Sequence, residues 1–240
     1  MKRILKTHSN SGWIAVFLLC LLPNSFAHAK GEHWFQFEPS ARSHRYSLVD
    51  ELGTASIINS EIYPGFSVLY SQRVFRRFSY LTFAYSQAAI KLQEPSNATL
   101  ESEEILTLSA AIFYEYQQRT FKFRLGPEYQ KEFFILIQNN EVSGEPLQSI
   151  YAVTGFYLIG RFGRYKRIEL GADYGFLAST SQINNQTVSS PGFAKLSLAL
   201  VFQGKKTSWL ISAYYKYAQF EVDSIEQTVG EANLGLGIRF

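Results

Sequence analysis

Hydrophobic and polar positions alternate along much of this chain with a period of two, as they do along a strand with one apolar and one polar face. The pattern is clearest in the last eight residues, Asn233-Leu234-Gly235-Leu236-Gly237-Ile238-Arg239-Phe240. Leu234, Leu236, Ile238 and Phe240 share one face, while Asn233, two glycines and Arg239 take the other. Similar segments recur upstream and predict ten strands, over 33–46, 61–74, 79–92, 104–117, 120–137, 149–162, 166–178, 192–203, 208–220 and 229–240. The connections alternate in length. Phe75–Phe78, Gln118-Arg119, Gly163–Tyr165 and Gly204–Thr207 are short, whereas 47–60, 93–103, 138–148, 179–191 and 221–228 read as long polar loops.

Turns fix register, so pairing tests the assignment. Centring one turn on Arg76-Arg77 pairs Tyr70 with Phe83 and Val68 with Tyr85, and puts Ser71/Thr82 and Ser67/Ser86 on the opposite face. Centring another on Lys205-Lys206 pairs Phe202 with Trp209 and Leu200 with Ile211. With Gln118-Arg119 as turn residues, Tyr116 meets Phe121 and Glu115 meets Lys122. The Gly163 turn accepts either two or three residues. The outer rows end in Phe, Tyr and Trp near the turns, where an interfacial girdle belongs. A soluble β-sandwich would leave those aromatic rows unexplained.

The C-terminal strand, with Gly235, Leu236, Ile238 and a final Phe240, resembles the last strand of Gram-negative outer-membrane β-barrels. In that superfamily the strand is the signal read by the β-barrel assembly machinery. The resemblance implies an outer-membrane location and lipid partners. The expected fold is all-β, a closed antiparallel transmembrane β-barrel of ten strands, with eight or twelve as alternatives.

The other end of the chain carries the marks of export. Lys2, Arg3 and Lys6 precede the apolar run Trp13–Leu22, which is too short for a membrane-spanning helix. Ala27-His28-Ala29 then offers a small-x-small cleavage site before Lys30. Residues 1–29 are thus expected to be a signal peptide and 30–240 the barrel, leaving no room for a second domain. Cleavage removes Cys20, the sole cysteine. It also leaves 20 basic residues against 20 acidic ones, so nothing points to nucleic acid.

Inward parity selects the charges expected in the lumen: Glu38, Arg42, His44, Glu115, Lys122, Arg124, Glu128, Glu169, Asp173, Lys195, Lys216 and Arg239. Mixed signs there fit either a packed salt-bridge network or a polar conduit, and ten strands lie near the filled end of the size range. Small inward residues, among them Ser109, Gly171, Gly175 and Ser197, leave room for water-filled gaps. The run Phe133–Ile137 breaks the alternation and is expected to pack against a neighbouring hairpin above the membrane, the alternative being the lining of a pocket for an apolar ligand. The short turns are basic, with Arg76, Arg77, Arg119, Arg164, Lys166, Arg167, Lys205 and Lys206, and the long loops are acidic.

Catalytic signatures are sparse. After cleavage only His33 and His44 remain, and only His44 lies toward the outer rim, where Asp50 or Asp173 would have to orient it. No CxxC, HExxH, phosphate-binding glycine loop or calcium-loop pattern occurs, and no cofactor is expected. The expectation is a monomeric, non-enzymatic barrel, structural or slowly permeable to small polar solutes. The alternatives are a hydrolase using His44 and a receptor or adhesin acting through acidic loops.

Overall fold

The computed structural model describes residues 33–49, 55–74, 78–93, 99–100, 105–138, 141–163, 165–183, 185–204 and 207–240. The stretch expected to be a signal peptide, with Ala27, Ala29 and Lys30, lies outside them. So do Asp50, Arg76, Arg77, Arg164, Lys205 and Lys206. The strands are β1 (His33–Val49), β2 (Ala55–Asn59), β3 (Tyr63–Arg73), β4 (Ser79–Ile90), β5 (Thr99–Leu100) and β6 (Ile105–Gln117). They continue with β7 (Phe121–Gln138), β8 (Glu141–Phe162), β9 (Lys166–Thr180), β10 (Val188–Gln203), β11 (Ser208–Val222) and β12 (Ile225–Arg239).

The order β12-β11-β10-β9-β8-β7-β6-β4-β3-β1 closes on itself because β1 also pairs antiparallel with β12, from Gln36↔Arg239 to Val49↔Glu226. Backbone bonds between Phe35 and Phe240, at 3.2 and 2.9 Å, finish the seam. The ring therefore has ten staves, not eight or twelve, and no free edge within it. β2 extends the β1 hairpin outward, and β5 adds a short parallel edge to β8.

The Arg76-Arg77 and Lys205-Lys206 registers are as the side-chain pattern requires, with Tyr70 opposite Phe83 and Phe202 opposite Trp209. At Gly163 the loop takes three residues, closed by Phe162↔Lys166, with Gly163 at φ 67°. The third turn differs from expectation. Gln118 N–H donates to Phe121 O (2.8 Å), so Arg119-Thr120 are the turn residues, and Glu115 faces Arg124 rather than Lys122. A slip of two residues keeps every side chain on its face, so alternation alone could not detect it.

Two expected loops are strand instead, and a third, 47–60, contains the end of β1 and the whole of β2. Gln138 and residues 141–148 belong to a hairpin closed by Gln138↔Glu141, and 221–228 to one closed by Val222↔Ile225 around Asp223-Ser224. The apolar positions Val142, Leu147, Val222 and Val229 are buried there, and that packing extends the strands past the polar residues that suggested loops. β8 reaches 22 residues, about twice the 9–11 that cross a bilayer. Only its 149–162 part pairs with β9 in the wall, and 141–147 pairs instead with β7.

Outside, Leu158, Leu170, Leu200, Ile211, Leu234 and Leu236 form an exposed apolar belt. Phe162, Tyr165, Trp209 and Phe240 rim it at the short-turn end. Inside there are two storeys. Near the short turns the interior is polar, and above it lies an apolar core that includes Tyr46, Ile58, Ile90, Ile105, Phe134, Ile135, Leu147 and Phe220.

Candidate functional site

All twelve charges assigned inward point away from the lipid belt, and three tiers of contacts organise most of them. Nearest the short turns, Arg239 donates to Gln36 Oε1 (3.1 and 2.8 Å), and its guanidinium lies 4.2 Å from the Trp34 ring centre. Gln36 donates to Glu38 (2.9 Å), which also accepts from Ser212. Across from them Glu169 pairs with Lys122 (3.7 Å) and Arg167. Arg167 is thus a buried lumen residue and not part of a basic rim. Its parity with Glu169 could have shown this, but its closeness to the turn hid it.

The middle tier is centred on Asp173. Arg124 grips its carboxylate through Nε and Nη2 (2.8 and 2.6 Å), and Tyr157 OH donates to the same group (2.8 Å). The Arg124 guanidinium stacks on Phe113 at 4.3 Å, Lys122 sits 4.2 Å from the Tyr157 ring and Lys195 4.1 Å from that of Tyr214. Glu115, buried, lies opposite Arg124 in the ladder. The glycine gaps are closed by rings. A Cβ at Gly171 would stand 2.1 Å from the Tyr157 ring, and one at Gly175 2.2 Å from that of Phe193.

The upper tier joins β7, β11, β12 and β1. Lys216 donates to Gln130 (2.6 Å) and pairs with Glu132, while Gln130 donates to Glu128 (2.8 Å). Glu231 accepts from Tyr214 (2.6 Å) and lies 3.5 Å from Arg42 and 3.9 Å from His44 Nε2. His44 Nδ1 bonds Tyr63 OH, and its ring stacks between Tyr46 and Tyr63. His44 is thus oriented by Tyr63 and Glu231, and Asp173 is engaged elsewhere.

Glu231, Glu132, Gln130 and Tyr157 are central members of these tiers that the sequence reading missed. Glu231 was within reach, two places from Asn233 on the inward row. Glu132 and Gln130 were masked by the apolar run that follows them. The upper tier encloses a cavity of about 60 Å³ lined by Arg42, His44, Glu128, Lys195, Lys216 and Glu231. At roughly 10–15 Å³ per water by this measure, it holds a few waters at most.

A closed ring with an apolar belt and a polar, ion-paired interior is a form that bilayers accept. Among solved structures, the outer membrane protease OmpT from Escherichia coli aligns over 88% of this chain and 96% of its own, at 4% identity and a TM-score of 0.57. The chain has the fold of a bacterial outer-membrane β-barrel. An outer membrane channel from Pseudomonas putida F1 aligns over 91% of this chain and 99% of its own, at 9% identity and a TM-score of 0.49. No protein-family model matches the barrel's sequence, and a search of curated proteins matches none.

Proposed function

We propose that this outer-membrane barrel is non-enzymatic, a rigid wall element whose charged lumen passes small polar solutes slowly. The observation that supports this best is the three-tier network. Its ion pairs bridge strands across the interior around a cavity of about 60 Å³ in the upper tier. Buried pairs of this kind add little net stability over apolar packing, so a lumen that keeps them is suited to contact with water and ions. The proposed partners are outer-membrane lipids around the belt and the assembly machinery acting on the strand ending at Phe240, with the barrel as a monomer.

The hydrolase reading draws less support. His44 Nδ1 is taken by Tyr63, Nε2 faces Glu231, and the nearby Ser60 Oγ accepts the His44 backbone N–H (2.7 Å). A lipid or peptide would also have to pass the apolar storey to reach it. The test is conductance of the refolded barrel in planar bilayers, with a heat-modifiable gel shift reporting closure. Rare, small steps whose ion selectivity changes in Arg124→Ala or Lys122→Ala carry the proposal. Hydrolysis of lipid or peptide that disappears in His44→Ala would overturn it.

A further inference from the structure

The hairpin at the top of β7 and β8 leaves the barrel wall. Pairing of β7 with β6 stops at Leu108↔Lys131, and pairing of β8 with β9 ends at Ser149↔Thr180 and a Ser181 N–H to Gln148 O bond (2.8 Å), just past a bulge in β9 at Ala178. From Glu132↔Leu147 to Gln138↔Glu141 the two strands keep each other as partners, with β5 added at Glu141 and Val142. Successive residues of a strand point to opposite faces, yet Phe134, Ile135 and Leu136 are all buried. This hairpin is covered on both sides.

Its contacts show where it goes. Gln227 of β12, fully buried, accepts the Ile135 N–H through Oε1 (2.6 Å) and donates through Nε2 to Phe133 O (3.0 Å). A carboxamide offers the same donor and acceptor as a peptide group, so it replaces the ladder partner that β7 lost on leaving β6. β12 is five strands from β7 in either direction around the ring. It is therefore on the opposite wall. Lys216 of β11, four strands away, reaches Glu132 and Gln130 in the same way. These contacts require the hairpin to span the mouth above the charged tiers.

We propose that the paired segments 132–138 and 141–147 form a plug over the outer mouth of the conduit, latched by Gln227 and by Lys216–Glu132, and that passage of small hydrated ions requires its release. The extra residue of the register shift beside the plug's base is Ala178 of β9, between Leu177 and Ser179, so the β8–β9 ladder is already irregular just before β8 leaves it. The plug rests on the pore half of the proposed function. The latch adds two hydrogen bonds and one ion pair to the apolar packing of Phe134, Ile135 and Leu147, and release breaks these contacts without unpairing the wall.

The experiment compares wild type, Gln227→Ala, and a variant in which residues 132–147 are replaced by Asn-Gly, all in potassium chloride across planar bilayers. The expected result is rare openings in wild type, at least about tenfold more open time in Gln227→Ala, and a constantly open replaced variant. A conducting replaced variant beside a Gln227→Ala barrel that behaves as wild type would overturn the latch and leave the pore reading standing. Silence in all three, each showing the heat-modifiable shift, would remove the pore reading and the plug with it. If the replaced variant fails to fold, labelling of Ser109→Cys, a cavity-lining position, by a small charged thiol reagent decides instead. Labelling at least about tenfold faster in the Gln227→Ala background supports the latch, and equal rates overturn it.

Discussion

Asp173 shows how much a single lumen residue carries. Its carboxylate holds both Arg124 bonds and the Tyr157 hydroxyl. Asp173→Ala leaves a buried guanidinium without its counter-charge, at a cost of about 3–5 kcal/mol. The thermal gel-shift midpoint should fall accordingly. Arg124→Met combined with Asp173→Leu should recover most of that loss, because an apolar pair of similar volume carries no desolvation penalty. The same crowding constrains Gly155, where a Cβ would stand 2.0 Å from Asp173 Oδ1. Parity placed Asp173 and Arg124 inside from sequence. Their bond was not legible, because nothing local says that β7 and β9, separated by β8, will meet across the wall.

At the scale of the strand, the two faces answer differently to the same change. Leu234 is 58% exposed on the belt, about halfway along the membrane-crossing part of β12, while its neighbour Asn233 is buried inside. Leu234→Arg should cost about 2–4 kcal/mol in refolding titrations into liposomes. Arginine at Ile62, 80% exposed beyond the hairpin of β1 and β2, should cost almost nothing. Comparing the two locates the bilayer against the strand. Alternation made these faces readable residue by residue. It could not make strand ends readable, since Glu221, Glu226 and Gln227 look like loop residues until Val222, Val229 and the buried Gln227 side chain are seen packed within the upper storey.

At the scale of the whole barrel, the two storeys should differ in dynamics. The wall strands have partners on both sides, whereas the hairpin of 132–138 and 141–147 lacks β6 and β9. Amides of 133–137 should therefore exchange faster than those of 152–158 by hydrogen exchange, since local opening frees the first group without breaking the ring. Phe134→Ala, at a fully buried position, should lower the protection of the hairpin by about 3–5 kcal/mol and leave the 152–158 amides unchanged. Equal loss in both regions would show one cooperative unit.

The sequence by itself determined the antiparallel barrel rhythm, the lipid and lumen faces and the charges inside. A period of two is a local property that each strand carries alone. Only the tertiary structure decided for ten strands over eight or twelve, the two-residue shift at Arg119-Thr120, the pairing of Asp173 with Arg124 and of Glu231 with His44, and the direction of the β7–β8 hairpin. Those outcomes depend on which strands become neighbours and on what lies across the lumen. A two-residue slip preserves every face, and the partner of Gln227 is 92 residues away, so no local pattern records them.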